Sequence, residues 1–231
     1  MTRHTTNGTR RPITLAARTS DWPTSAACRD MDDEPFFSDK TGTLNRLRQT
    51  ACADCPVLVA CLRSARTIEG DRADIWGLRG GLTADQRRAL RAELLLGGRL
   101  DLDAAVQLLS WQWQNVLWPL RVRGDGPQEI ANEVTRWGMP VSAATVRVAL
   151  WWLGARAHRL PRRGAGDRRL DWQLVRDERR DVVEQLRELG APAGDIAAYL
   201  GLSRTALERA AKAWSRSSRE AAQAQEVGLA A

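Results

Sequence analysis

The sequence predicts an all-α chain: a small helical domain that carries every cysteine, then a helical extension with one or two helix-turn-helix units. Three observations support that prediction. Apolar residues recur at helical spacing, as in Val106, Leu109, Trp113, Val116, Leu117 and Leu120. Glycine turns followed by a capping serine separate such segments, at Gly138-Met139-Pro140-Val141 before Ser142 and at Gly201-Leu202 before Ser203. No convincing strand–helix–strand pattern occurs along the 231 residues.

From the N-terminus, residues 1–19 read as a disordered tail. Met1 to Pro12 is polar and basic without an apolar h-region, so no secretory signal is expected. A cytoplasmic, reducing setting then disfavours a disulfide framework. The four cysteines, Cys28, Cys52, Cys55 and Cys61, are separated by 23, two and five residues. Thiolates are soft ligands suited to iron–sulfur clusters and zinc, and a Cys-x-x-Cys pair offers two sulfurs from one turn of backbone. Structural zinc usually shows two paired knuckles or nearby histidine. Here there is one pair with two outlying singles, and His4 and His158 lie far away in sequence. Zinc stays open as the less well matched centre. Leu44 to Ile68 has a composition suited to helices, with Pro56 acceptable in a first turn. Cys28 must reach in from a separate element, so the domain should depend on its metal centre for much of its fold.

The residues around the ligands narrow the choice. The chain reads Asp21-Trp22-Pro23, Ala27-Cys28-Arg29-Asp30 and Asp33-Glu34-Pro35-Phe36-Phe37. It continues with Cys52-Ala53-Asp54-Cys55-Pro56-Val57, Cys61-Leu62, Ile75-Trp76-Gly77 and Gly81-Leu82-Thr83. This order resembles the WhiB-like family of actinobacteria and their phages, over about residues 20–96. The resemblance implies that Cys28, Cys52, Cys55 and Cys61 hold a [4Fe–4S] cluster that senses oxygen or nitric oxide. It also implies docking on region 4 of the principal sigma factor to alter transcription, with Trp76, flanked by Ile75 and Gly77, as the partner anchor. Trp22, Phe36 and Phe37 would shield the cluster, a role compatible with plain core packing.

The tryptophan turn departs from the family pattern. Asp74 stands where a glycine is expected, and Leu78-Arg79 separates Gly77 from Gly80-Gly81. A remodelled turn is expected, which bears on partner choice more than on cluster binding. A buried structural role for Trp76 is the competing reading.

The net charge of +7 favours contact with polyanions. Lysine occurs only at Lys40 and Lys212, so almost all positive charge is arginine. Residues 1–97 hold 15 Lys and Arg against 12 Asp and Glu, and the rest holds 20 against 16. Neither half is a polycation, which suits modest DNA affinity in a factor recruited through sigma. No run of 18 apolar residues implies a membrane span.

The extension changes character at Gly97-Gly98. A helix over about Leu102 to Val122 is expected, with Trp111 and Trp118 on a stripe beside its apolar face. Residues 98–155 form a helical domain in which Ser142 caps Ala143 to Leu153, a weak helix-turn-helix pattern. Its outward set would be Ser142, Ala143, Thr145 and Arg147. Residues 156–170 form a basic linker whose Arg162 and Arg163 suit phosphate contact. Val175 to Leu189 reads as an amphipathic helix that stops at Gly190, then Ala191 to Leu200 as a short helix, a glycine turn at Gly201, and Arg204 to Trp214 capped by Ser203. This second copy, residues 171–216, is the clearer helix-turn-helix. Ser203, Arg204, Thr205, Glu208 and Arg209 are its expected DNA contacts, and a docking module is the bland alternative. Residues 217–231 read as a frayed helical or disordered tail.

Two other function classes stay open. One is a thiol–disulfide oxidoreductase acting through Cys52 and Cys55 in a cluster-free form; the other is a zinc-stabilised DNA-binding adaptor. Gly80-Gly81 and Gly97-Gly98 lack the fingerprint of a phosphate loop, and no catalytic carboxylate pair or Ser/His/Asp arrangement is present, so an enzyme is not expected.

Overall fold

The computed structural model describes residues 22–70, 72, 74–154 and 170–229; residues 1–19 and the linker residues Arg162 and Arg163 lie outside the described residues. Among the described residues the chain is all-α, with no strand and one isolated bridge between Arg79 and Leu82. No described helix is long and apolar enough to cross a membrane.

Two short 3-10 turns, Trp22–Ser25 and Glu34–Phe37, lead into α1 (Thr41–Leu47). Leu44 and Leu47 bury one face of α1, which runs on as a π-helical turn over Arg48–Cys52. Helix α2 (Leu58–Glu69) buries Leu58, Leu62, Ala65 and Glu69, the i, i+4, i+7, i+11 stripe of a helix packed along one side. Helix α3 (Ala84–Leu95) opens with a capping box in which Thr83 and Gln86 satisfy each other's backbone N–H.

The extension continues with α4 (Leu102–Gln107), α5 (Trp111–Arg123), α6 (Pro127–Arg136) and α7 (Ala143–Trp152). One helix was expected over Leu102 to Val122, but Ser110 adopts an extended conformation and splits it. The break lets Leu108 from the first piece and Leu117 and Leu120 from the second enter one core. That core also holds Val57, Leu58, Leu62, Leu82 and Leu90, so residues on both sides of Gly97-Gly98 share it. Trp111 and Trp118 remain exposed.

The last four helices are α8 (Asp171–Glu178), α9 (Arg180–Glu188), α10 (Ala193–Leu200) and α11 (Arg204–Leu229). The expected Val175–Leu189 helix is likewise divided, because Arg179 leaves the helical region at φ −136°. Val175 before the break and Val183 and Leu186 after it then meet Leu207, Ala210 and Trp214 in a second core. Helix α11 passes well beyond Trp214; its Ala-, Glu- and Gln-rich continuation has high helix propensity and no proline to stop it. Small residues Ala197 and Ala198 of α10 lie against the side of α3 that carries Ala89 and Ala92, which permits close helix approach.

Helix α7 has apolar residues all round, and eight of its ten residues are buried. Its expected DNA-facing set is therefore only partly exposed: Ser142, Ala143 and Arg147 are half-buried and Thr145 is buried. Thr145 is fully buried and its hydroxyl oxygen accepts from the Asp101 amide at 3.0 Å, while Arg147 is paired with Glu93 of α3 at 2.7 Å. Helix α7 serves as packing against α3 and α4.

Candidate metal centre

Three separate pieces of chain supply the cysteines. Cys28 sits in the turn after the first 3-10 segment, Cys52 ends the π-helical turn, Cys55 lies in the tight turn that follows, and Cys61 is in the first turn of α2. The Cys55 amide donates to the Cys52 carbonyl at 3.2 Å, and the Leu58 amide donates to the Cys55 carbonyl at 3.2 Å. These bonds fold Cys52-x-x-Cys55 tightly onto the start of α2. A π turn at such a position is a frequent companion of functional residues.

Cys55 is buried and the other three are half-buried, all as free thiols. Burial pushes Cys52 up to about 12, and the charges of Cys61, Cys55 and Cys28 push it the same way. Cys61 is raised chiefly by burial, opposed by a hydrogen bond from Gly80 and by the charge of Arg79, with Cys28 and Cys55 adding to the rise. Burial raises Cys28, and Cys55 raises it further. The charges of the four thiols act on one another, which brings them into one neighbourhood, and among the described residues no group of three or more His, Cys, Asp and Glu is arranged to hold a single metal ion.

The remodelled glycine turn faces this site. The Gly80 amide donates to Cys61 Sγ at 3.1 Å, and the Gly81 amide lies against Cys52. Amide donors to sulfur orient ligands and temper their charge. Gly80 has φ +54°, and a Cβ there would lie 2.5 Å from Cβ of Leu62. Only glycine lets the amide come this close to α2.

Helix α3 holds the turn with a row of guanidiniums that the sequence reading missed. Arg87 is buried, pairs with Glu69 at 2.8 Å, and donates to the carbonyls of Trp76, Gly77 and Leu82 at 2.7, 3.0 and 2.6 Å. Arg88 donates to the Ile75 carbonyl at 2.9 Å. Arg91 reaches the Gly70 and Arg72 carbonyls and pairs with Asp195 of α10. The available signal was the spacing of Arg87, Arg88 and Arg91 on one side of a short helix.

Of the three residues expected to meet a partner, only Trp76 presents its side chain, at 64% exposure. Ile75 is a correction: it is 2% exposed and anchors the turn in the core. Gly77 is half-buried against Phe36 and Phe37, and the Leu78 amide donates to the Phe36 carbonyl at 2.8 Å. Trp22 and Phe36 are half-buried in the cores that also take in Cys52. Phe37 is exposed and lies along Gly77 instead. Ser203, Arg204, Thr205, Glu208 and Arg209 are all exposed at the start of α11, with Arg204 and Glu208 paired at 3.2 Å.

The family model described as Transcription factor WhiB matches residues 22–90. Similar relatives are both named Transcriptional regulator WhiB1. One, from Bifidobacterium longum, is 39% identical over 83 residues, covering 34% of this chain and 86% of the relative. The other, from Mycobacterium tuberculosis, is 36% identical over 75 residues, covering 31% of this chain and 84% of the relative. No solved structure matches. The matched segment spans the four cysteines, the tryptophan turn and most of α3, and on that combined ground the chain belongs to the WhiB family of transcriptional regulators.

Proposed function

We propose that Cys28, Cys52, Cys55 and Cys61 ligate a [4Fe–4S] cluster whose redox or nitric-oxide response governs contact with region 4 of the principal sigma factor and with DNA in the cytoplasm. The observation that carries this reading is the convergence of four thiols from three pieces of chain beneath the Gly80 and Gly81 amides. The cluster supplies cationic charge that offsets crowded, buried thiolates, together with gas- and electron-sensitive chemistry. Trp22 and Phe36 limit water at the site, and the guanidiniums of Arg48 and Arg79 feel the charge of Cys52 and Cys61.

Zinc suits the arrangement less well. The spacing offers one Cys-x-x-Cys pair with two outlying singles, where structural zinc usually shows two paired knuckles or a nearby histidine. A thiol–disulfide role is disfavoured because Cys52 is pushed up to about 12, opposite to the lowered value of a nucleophilic thiol.

Trp76 acts as the sigma anchor: a large side chain, exposed, on a turn fixed by Arg87 and Arg88. The start of α11, through Ser203, Arg204, Thr205, Glu208 and Arg209, contacts DNA once sigma has recruited the chain. The test is binding of anaerobically purified protein to a sigma region 4 fragment. Trp76→Ala should weaken it by about tenfold or more, as expected for a hot-spot tryptophan, and nitric oxide should change the parent's affinity. Equal binding by parent and variant, before and after gas, would contradict the reading.

A further inference from the structure

Beyond its N-terminal contacts, α11 forms with α9 an open groove of about 670 Å³. Arg187 of α9 lines one wall, and Lys212, Arg216 and Arg219 line the other. Glu220 is the one carboxylate among the lining residues. Elsewhere these two helices neutralise their cations along the helix, as in Arg180–Glu184 at 2.7 Å and Arg204–Glu208 at 3.2 Å. Among the described residues the four groove cations enter no ion pair.

Their spacing fits an extended anion. Arg209, Lys212, Arg216 and Arg219 recur every three or four residues, so they form one stripe continuous with the exposed start of α11. The stripe extends about 15 Å along the axis at 1.5 Å per residue. A helix that reads bases with its first turns enters a major groove about 12 Å wide. Its later turns must then pass the phosphates. The lining has no large apolar side chain, so a peptide partner would find no anchor there.

We infer that the groove between α9 and α11 is a phosphodiester-backbone site in which Arg187, Lys212, Arg216 and Arg219 hold a DNA strand. This rests on the reading that the start of α11 meets DNA, and it adds a second site that sets affinity and salt dependence without reading sequence.

The test uses the full, anaerobically purified chain and a mixed-sequence duplex, with fluorescence anisotropy between about 50 and 200 mM salt. Three proteins are compared with the parent: the groove variant R187Q/K212Q/R216Q/R219Q, its charge-keeping counterpart R187K/R216K/R219K, and the helix-start variant S203A/R204Q/T205A/R209Q. Circular dichroism matching the parent establishes that each is folded. The groove variant should lose about tenfold or more in affinity, and its plot of log affinity against log salt should be shallower by about 0.9 per lost contact, up to roughly 3.6. The lysine variant should keep most of the parent's slope.

An unchanged slope in the groove variant overturns the inference; if the helix-start variant is then the weak one, the reading of α11 survives alone. Loss in the groove variant with normal binding by the helix-start variant supports the groove and removes the DNA role of Ser203 to Arg209. Failure of the parent to bind duplex, with retention of poly-glutamate through the four cations, overturns the inference in favour of an acidic protein partner.

Discussion

Trp152 donates its indole N–H to the carbonyl of Gly80 at 2.8 Å, joining the last turn of α7 to the glycine turn whose amides face Cys61 and Cys52. The Trp152 ring also lies where a side chain on Gly81 would have to go. Nearby, Arg48 in the π turn donates to the Trp151 carbonyl at 3.0 Å. The extension is thereby packed onto the cysteine site from two directions.

Trp152→Phe keeps most of the buried ring and deletes the donor, leaving the Gly80 carbonyl buried without that partner. The expected loss of stability is about 1–3 kcal/mol, measured by denaturant unfolding of the metal-loaded protein. Because the same turn carries the sulfur-facing amides, chelators should also strip iron faster from the variant. Unchanged stability and unchanged iron loss would mean that the contact does not support the site.

The pairing of Arg91 with Asp195 predicts an asymmetry. Asp195 is 1% exposed, so Arg91→Ala would leave a buried carboxylate without its main cation and should cost about 3–5 kcal/mol. Asp195→Asn removes the buried charge itself and keeps a polar partner, so it should cost clearly less. Hydrogen exchange of α10 amides reads the difference: faster exchange is expected in Arg91→Ala than in Asp195→Asn, and the reverse order would contradict the arrangement.

Glu93 gives a pH dependence. It is buried beside Arg147, and burial raises its pKa above 4.5 by more than the Arg147 cation lowers it. The folded state therefore holds the proton more tightly than the unfolded chain. The resulting stability is fully present below the unfolded value and is lost as pH rises through the folded value. Melting of the parent and of Glu93→Gln from acid to neutral pH should show the parent's advantage shrinking across that window. A difference that stays flat, or that grows with pH, would contradict it.

The candidate cysteine site and the family could be read from local information: ligand spacing, flanking Trp22 and Phe36, and the Ile75-Trp76-Gly77 turn all occur within short windows. Capping was legible for the same reason, and Ser142 does accept the Thr145 amide at 3.2 Å. The two helix breaks were not: Ser110 is of a capping type but makes no side-chain cap bond and sits inside an unbroken apolar period, and Arg179 is an ordinary helix residue. The local pattern also made the two capped helices look equivalent. What separates them is composition around the full circumference: α7 ends in Ala149-Leu150-Trp151-Trp152 and is buried, whereas α11 opens with a charged face and is exposed. The spacing of Arg87 and Arg88 marks a shared side of α3 but not what they reach, because their acceptors are mostly backbone carbonyls.

The central claim is that Cys28, Cys52, Cys55 and Cys61 together hold one multi-iron centre. Anaerobic purification followed by the visible spectrum and by iron, sulfide and zinc analysis tests it most directly. The account predicts a brown protein with iron and sulfide in equal amounts, about four of each per chain as a [4Fe–4S] centre requires, and bleaching by nitric oxide or air. A colourless protein carrying a single zinc, stable to both gases, would contradict it and make the cysteines a structural staple.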